Sequence, residues 1–136
     1  MNEYLNQLSE NLIYIKHEVV DGTLKLYCET KLDPQRKVHS RKIRVVKDIP
    51  YGKLKVELHI LTKKYFNAFT NQKKLTIAEE HPFINSTGRR TTRLDRYIEE
   101  SCREMSAIGC ERFIRNHVAD VSDSSILRLI KKKQIK

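Results

Sequence analysis

The chain has 136 residues, of which 39% are hydrophobic and 32% are charged, a composition typical of a folded protein rather than a disordered one. Its 27 Lys and Arg residues outnumber 17 Asp and Glu residues, and the net charge of +10 favours a nucleic acid or an anionic membrane surface as partner. The longest apolar runs hold four or five residues, far below the roughly 20 that a membrane span needs, and the N-terminus lacks a signal-peptide pattern. We therefore expect a cytoplasmic chain with no membrane partner.

Alternating apolar and polar residues predict antiparallel β structure in the first half of the chain. Asp21-Gly22 is a strong signal for a hairpin turn between the first two strands, and residues 48–52 predict the turn between the third and the fourth. The predicted strands are, in chain order, 11–20, 23–31, 42–46, 54–61 and 75–77.

After Gly88 the pattern changes to that of helices, with apolar residues three to four positions apart. A first helix follows directly, Ser106 can cap a second, and Ser122 can cap a third. The turn at residues 118–121 has the length that joins a helix-turn-helix pair. We therefore predict an α+β chain, with an antiparallel β unit at residues 1–86 and a three-helix helix-turn-helix domain at residues 87–136.

The cysteines and histidines predict neither a disulfide framework nor a metal site. Cys28, Cys102 and Cys110 are odd in number, form no C-x2-C pair and lie in apolar alternations, so we expect reduced thiols packed in the interior. The five histidines are scattered, and none lies four residues from another, as a helical metal-binding pair would. We expect no metal and no cofactor.

A DNA-recognition helix presents short polar residues in its first turn and basic residues behind them, and residues 122–133 have that order. Arg128 is the best candidate to contact a guanine, and four arginines at the start of the first helix lie where the helix dipole disfavours cations unless an anion binds. The predicted DNA-binding residues are Arg89, Arg90, Arg93, Arg96, Ser122, Asp123, Ser124, Ser125, Arg128, Lys131, Lys132 and Lys133.

A simpler explanation of the same residues stays open. Ser122 and Asp123 can serve only as a helix cap, and the lysines that follow can serve only to favour the helix C-terminus. The arginines of the first helix can form a solvated face that pairs with Asp95, Glu99 and Glu100.

The order of these elements resembles the N-terminal region of ISL-type insertion-sequence transposases. The resemblance covers residues 10–133 and is carried by a β unit, two short segments, an Arg-rich first helix and Val121-Ser122 at the start of the third helix. The two segments are Val38-His39-Ser40-Arg41 and Asp48-Ile49-Pro50-Tyr51-Gly52. In that family a small zinc ribbon precedes the helix-turn-helix, and a DDE catalytic domain follows it.

The sequence departs from the family pattern in two places. The family's ribbon carries two C-x2-C pairs as zinc ligands, which align here with residues 33–36 and with residues near 68–71, where no cysteine is found. The resemblance therefore implies a zinc-ribbon-like unit without its metal. The sequence ends at Lys136, so we also expect no DDE domain and no strand transfer by this chain.

Two classes of function are left open. The first is sequence-specific binding of double-stranded DNA, either as a transcriptional regulator, with a homodimer across two half-sites, or as a transposon-end binding fragment. The alternative is a protein-interaction module of a mobile element, which binds and modulates another protein. We expect no enzyme, because the sequence carries no P-loop, no nucleophile elbow, no dinucleotide fingerprint and no zinc-protease motif.

Overall fold

The computed structural model describes residues 2–67, 76–85 and 88–121, together with Ser125, Ile126, Arg128 and Leu129. The helices of these residues are α1 (Asn2–Leu8), α2 (Thr92–Ser101) and α3 (Ala107–His117). The strands are β1 (Leu12–Val20), β2 (Thr23–Thr30), β3 (Val38–Tyr51), β4 (Leu54–Phe66) and β5 (Thr76–Ala78).

The strands form one mixed sheet in the order β1-β2-β4-β3, and β5 pairs with the far end of β4. The β1–β2 hairpin is antiparallel, as predicted, and its turn is made by Asp21 (φ 50°) and Gly22 (φ 77°). Two successive left-handed residues match the right-handed twist of the flanking strands. By contrast, β2 and β4 run parallel, with Leu26 opposite Leu58, whereas β3 and β4 are antiparallel.

Burial and charge explain this strand order. Every second residue of β2 is buried from Leu24 to Thr30, and the same alternation runs through β4 from Val56 to Ile60. Strands with this much apolar surface gain most from a central position, with a neighbour on each side. β3 carries several cations and takes the edge, where charged side chains also discourage pairing with another chain.

One face of the sheet is covered by α1 and by the segment after β5. Leu5 of α1 is fully buried against the central strands, and Tyr4, Leu8, Phe83 and Ile84 pack around it. The buried core of this unit is Leu5, Leu12, Leu24, Leu26, Cys28, Val46, Val56, Leu58 and Ile60.

A second apolar cluster lies among the helices. Ile49 of β3 packs against it and so connects it to the sheet, whereas Ile108 of α3 is 70% exposed. The buried members are Leu94, Ile98, Cys102, Cys110, Ile114, Val118, Ala119, Val121, Ile126 and Leu129.

The predicted fold class is wrong. The described part of the chain is dominated by a five-stranded mixed sheet with the short helices α1, α2 and α3, and it is not an antiparallel zinc-ribbon-like unit followed by a three-helix helix-turn-helix domain. The parallel β2–β4 pairing breaks the antiparallel pattern, and the first helix lies at the N-terminus, on the sheet. Residues 125, 126, 128 and 129 of the predicted third helix are helical, and its other residues lie outside the described part of the chain.

Two smaller expectations are also corrected. The predicted turn at residues 48–52 belongs mostly to β3, and the chain reverses direction at Gly52 and Lys53. Cys102 and Cys110, expected as separate thiols, form a disulfide across a Cα–Cα distance of 5.2 Å, within the range that such a bond needs. Cys28 is a free, buried thiol, as expected. No helix in the described part of the chain combines the length and the apolar character needed to cross a bilayer.

Candidate nucleic-acid interface

The carboxylate of Asp48, which is fully buried near the end of β3, is the centre of the best-connected polar cluster. Its Oδ1 accepts hydrogen bonds from the Thr91 hydroxyl (2.7 Å), from Arg93 Nε (2.9 Å) and from the backbone N–H of Ile49 (2.8 Å). Its Oδ2 accepts from the Tyr4 hydroxyl (2.9 Å) and from Arg93 Nη2. The cluster therefore joins the sheet to α1 and to α2.

Arg93, which we predicted to contact DNA, has its charge neutralised in this cluster. Its side chain is only 18% exposed, and its guanidinium also lies 4.5 Å from the centre of the Tyr4 ring. Burial lowers the pKa of Arg93, but the hydrogen bonds and the charge of Asp48 outweigh burial, so the pKa lies above its usual value. Burial, with the Asp48 carboxylate adding to it, raises the pKa of Tyr4. Arg93 is thus placed to hold the fold together.

The start of α2 is fixed to β3 by backbone hydrogen bonds. The N–H of Lys47 donates to the carbonyl of Arg89, and the N–H of Thr91 donates to the carbonyl of Lys47, both at 3.0 Å. Thr91 is the N-cap, and its hydroxyl accepts from the N–H of Leu94 at 3.2 Å, which satisfies one of the free donors of the first helical turn.

The other arginines predicted around α2 divide into two kinds. Arg90 Nε lies 2.6 Å from Asp95 Oδ1, and the Arg90 side chain is 13% exposed, which matches the alternative in which these arginines pair with neighbouring acids. Arg89 and Arg96 are exposed, and neither forms an ion pair with another residue of the described chain. Only Arg89 and Arg96 of this group present their charge to solvent.

The remaining predicted DNA-binding residues fall in and around the last helical segment. Arg128 is helical and exposed, and Ser125 is helical and partly buried. The others, Ser122, Asp123, Ser124, Lys131, Lys132 and Lys133, lie outside the described residues. The structure thus brings Arg89 close to β3 and leaves Arg128 on the surface of the helical cluster.

A line of cations along β3 is the feature that we missed from the sequence. Residues 36–47 contain six cations and no Asp or Glu, and residues 38–47 form most of the edge strand. We name these side chains the basic edge: Arg36, Lys37, Arg41, Lys42, Arg44 and Lys47. The signal was present in the sequence as a run without acids, but only the strand order shows that it lies at an edge.

Aromatic rings and one carbonyl hold parts of the basic edge in place. The Arg36 guanidinium lies 4.3 Å from the centre of the Tyr65 ring, and the Lys37 ammonium lies 5.6 Å from that of Phe66. Lys47 Nζ donates to the carbonyl of Asp120. None of the ion pairs among the described residues includes a residue of the basic edge. The positive charge of the basic edge is therefore available to an external anion.

The position aligned with the first C-x2-C pair is a hydrogen-bonded turn. The Asp33 carboxylate accepts from the N–H of Gln35 at 3.0 Å, and the Asp33 N–H donates to the Tyr65 hydroxyl at 3.3 Å. An Asx turn of this kind closes a loop without a metal ion. The position aligned with the second pair, residues 68–71, lies outside the described residues.

Comparison with known proteins found no match for the chain: no protein family, no curated protein and no solved structure matches it. The resemblance to insertion-sequence transposases therefore stays a prediction from the sequence, and the function has to be inferred from the residues themselves.

Proposed function

We propose that the chain binds double-stranded DNA, and that the basic edge is its main contact with the phosphate backbone. The observation that carries the proposal is the run of six cations without an acid along residues 36–47, four of which lie on the edge strand β3. Phosphate contacts from Lys and Arg supply nearly all of the affinity of non-specific DNA binding and a large share of specific binding. A cytoplasmic location belongs to the same proposal.

The dimensions of the edge suit a duplex. Successive strand residues advance about 3.3 Å, so Val38 to Lys47 span roughly 30 Å, close to the roughly 34 Å of one helical turn of DNA. Side chains of a strand point alternately to its two faces, so the edge presents cations to a phosphate on either side. The backbone bonds between Lys47 and residues 89–91 continue the positive surface to Arg89.

Base preference is proposed for a separate part of the surface. Arg128 is exposed on a helical segment, and a guanidinium can bond guanine in the major groove through two hydrogen bonds. The sequence resemblance to the DNA-recognition region of transposases supports the same class of ligand. A transcriptional regulator and a transposon-end binding protein both fit this proposal.

The proposal is tested by fluorescence anisotropy with duplex DNA over a range of salt concentrations. Wild-type affinity should fall steeply with salt, and the double variant Lys37→Ala/Arg41→Ala should bind roughly tenfold more weakly at low salt, with a slope of log K against log[salt] reduced by about two. Lys16→Ala is the matched control, because Lys16 is an exposed lysine on β1, at the opposite edge of the sheet.

Two outcomes would reject the proposal. One is no binding to any duplex at low salt, and the other is an equal loss of affinity in the double variant and in Lys16→Ala. Arg128→Ala should leave the salt slope almost unchanged and weaken the preference among duplex sequences. A variant that keeps the full preference would remove Arg128 from base recognition.

A protein-binding role is the second candidate, because apolar side chains are exposed on the sheet face opposite the core. Ile43 and Val45 of β3 are 58% and 49% exposed, and Ile43 pairs with Leu61. The same row reaches Ile13, which is 41% exposed, through Glu29. A second copy of the chain is the simplest partner for such a row. Sedimentation velocity tests this: association that strengthens with concentration and is lost in Ile43→Lys supports it, and a monomer at every concentration rejects it.

A further inference from the structure

A cavity of about 430 Å³ opens where β3, β4 and β5 meet, beyond the apolar core. Its size falls within the range of small-ligand sites in proteins. The described residues that line it are Ser40, Lys42, Arg44, Thr62, Lys63, Lys64, Ala78, Glu79 and His81.

Strand register explains why these residues meet. Ser40, Lys42 and Arg44 alternate along β3 and so share one face, and the pairing places Thr62 opposite Lys42 and Lys64 opposite Ser40. This is the face that carries the buried Val46 and Leu58 farther along the sheet, but here its residues are polar. On β5, the small residue opposite Lys64 is Ala78. The result is a polar floor beside an apolar core.

Two of the charged residues that line the cavity, Glu79 and Lys63, already form hydrogen bonds within the protein, and both bond to Thr30. Glu79 Oε1 accepts from the N–H of Lys63 (2.6 Å) and from the Thr30 hydroxyl (2.7 Å). The Lys63 ammonium donates to the hydroxyl (2.8 Å) and to the carbonyl of Thr30. Lys42, Arg44 and Lys64 form no ion pair with the described residues, so three cations face the cavity without an acidic partner.

His81 supplies a second and independent feature. Its Nε2 is buried and has no hydrogen-bond partner within the described part of the chain. Burial lowers the pKa of His81, with the charge of Arg44 adding to this effect and that of Glu79 opposing it, so the ring is mostly neutral at pH 7. A buried ring nitrogen without a partner is costly unless a ligand atom pairs with it.

The Arg44 guanidinium lies close to Gly88. A Cβ atom at residue 88 would collide with Arg44 Nη2, so a larger residue there would push the guanidinium aside. Gly88 also has a φ of +74°, a backbone conformation that favours glycine.

We propose that this cavity is a binding site for the phosphate monoester of a nucleotide. Lys42, Arg44 and Lys64 neutralise the phosphate and donate charge-assisted hydrogen bonds to its oxygens. The Thr62 hydroxyl beside them already donates to the carbonyl of Lys42 at 3.1 Å. The volume leaves room for more of the ligand than the phosphate group itself. The phosphate belongs either to a free nucleotide or to the 5′ end of a DNA strand. Lys42 and Arg44 belong to the basic edge as well, whereas Lys37 and Arg41, whose substitution tests the proposed duplex binding, do not line the cavity.

Isothermal titration calorimetry on the full chain at low salt tests the site, with adenosine 5′-monophosphate as the probe and adenosine as its uncharged control. The nucleotide should bind and the nucleoside should not. Lys42→Ala/Lys64→Ala should weaken nucleotide binding at least tenfold, whereas Lys16→Ala should change it less than twofold. Lys42→Arg/Lys64→Arg keeps both charges and should retain binding, which separates lost charge from lost folding.

The site is rejected if the nucleotide fails to bind, if adenosine binds equally well, or if Lys42→Ala/Lys64→Ala binds like the wild type. A second arm compares duplexes with 5′-phosphate and with 5′-hydroxyl ends. If the chain prefers the phosphorylated end and free nucleotide abolishes this preference, the site is supported and its ligand is the phosphate of a DNA end. If the nucleotide binds but the chain shows no such preference, the site is supported and its ligand is a free nucleotide. The double variant Lys37→Ala/Arg41→Ala should weaken duplex binding and leave nucleotide binding unchanged, which separates the two proposals.

Discussion

The two ends of β3 differ in whether their charged side chains are neutralised within the protein. At the C-terminal end, Asp48 is fully buried, and both of its carboxylate oxygens receive hydrogen bonds from within the protein, chiefly from Arg93. At the N-terminal end, Arg41, Lys42 and Arg44 follow one another on an open edge with no acid nearby in the sequence. One strand thus carries a structural ion pair at one end and an unneutralised positive surface at the other.

The difference shows which charges stabilise the fold and which are available for binding. A buried charge is tolerated only when a partner and hydrogen bonds replace the lost water, so it is committed to the fold. An exposed cation keeps its hydration and contributes little to stability, so stability does not explain a run of cations along an edge. A phosphate ligand provides one. Substitutions at the two ends should therefore affect different measurements.

The largest effect is expected from Asp48→Ala. The change leaves the mostly buried Arg93 guanidinium without its partner and removes the acceptor of Thr91 and Tyr4, which should cost about 3–5 kcal/mol of unfolding free energy. Urea unfolding followed by circular dichroism measures it. Glu100→Ala, an exposed acid of α2, is the control and should cost less than about 0.5 kcal/mol. A loss below about 1 kcal/mol for Asp48→Ala would contradict the structural role of the pair.

The helical cluster beyond the buried end of β3 is held by a covalent link as well. The Cys102–Cys110 disulfide closes a short loop, and the double variant Cys102→Ala/Cys110→Ala should lower the unfolding free energy by roughly 2–3 kcal/mol. Thermal melting with and without reductant should show the same difference in the wild type and none in the variant.

Thiol counting supplies the control for this disulfide. The denatured chain should expose one thiol without reductant and three after reduction, and three thiols without reductant would show that the bond does not form. Burial raises the pKa of Cys28 to about 12, so this remaining thiol should react slowly in the native protein at about pH 8.

A smaller effect is expected at Gly88, which lies against the Arg44 guanidinium. Gly88→Ala places a side chain in a left-handed residue and against the guanidinium, and should cost roughly 1–2 kcal/mol. Gly52→Ala is the matched control, because Gly52 also has a positive φ of 60° but no atom lies within 4 Å of the position that an alanine methyl group would take. Only Gly88→Ala should also weaken nucleotide binding, since it displaces Arg44; equal effects on binding would exclude that role of Gly88.

The smallest effect on stability is expected at the open end of β3. Lys37→Ala/Arg41→Ala should change the unfolding free energy by less than about 0.5 kcal/mol, because both residues are exposed and without ion pairs among the described residues. Urea unfolding of the variant that is used for DNA binding checks this directly. A loss above about 1 kcal/mol would mean that these cations also hold the sheet together.

Local patterns predicted much of the secondary structure. Alternating residues and Asp21-Gly22 correctly placed the first hairpin, and the spacing of Leu94 and Ile98 correctly placed α2. These features follow from neighbouring residues and from a turn whose geometry only a few residue types adopt. α1 was missed because seven residues with few apolar side chains form a helix only when packing against the sheet stabilises it.

The candidate sites were harder to predict from the sequence than the secondary structure was. Arg93 and Asp48 lie 45 residues apart, so nothing local indicates that they pair, and Arg93 was therefore assigned to DNA. The cavity needs the register between Lys42 and Thr62 and between Lys64 and Ala78, which depends on how three strands align. The parallel pairing of β2 with β4 was also missed, because alternating apolar residues predict a strand but do not predict which strand pairs with it.

The sequence alone determined the positive charge, the hairpin at Asp21-Gly22, the apolar alternation of β2 and β4, and the acid-free basic run at residues 36–47. These properties belong to single residues or to close neighbours along the chain. The tertiary structure alone decided that β3 lies at the edge, that Asp48 neutralises Arg93, and that Lys42 and Lys64 line one cavity. Those outcomes depend on contacts between distant segments, where burial decides which charges are paired inside the protein and which are left to bind a partner.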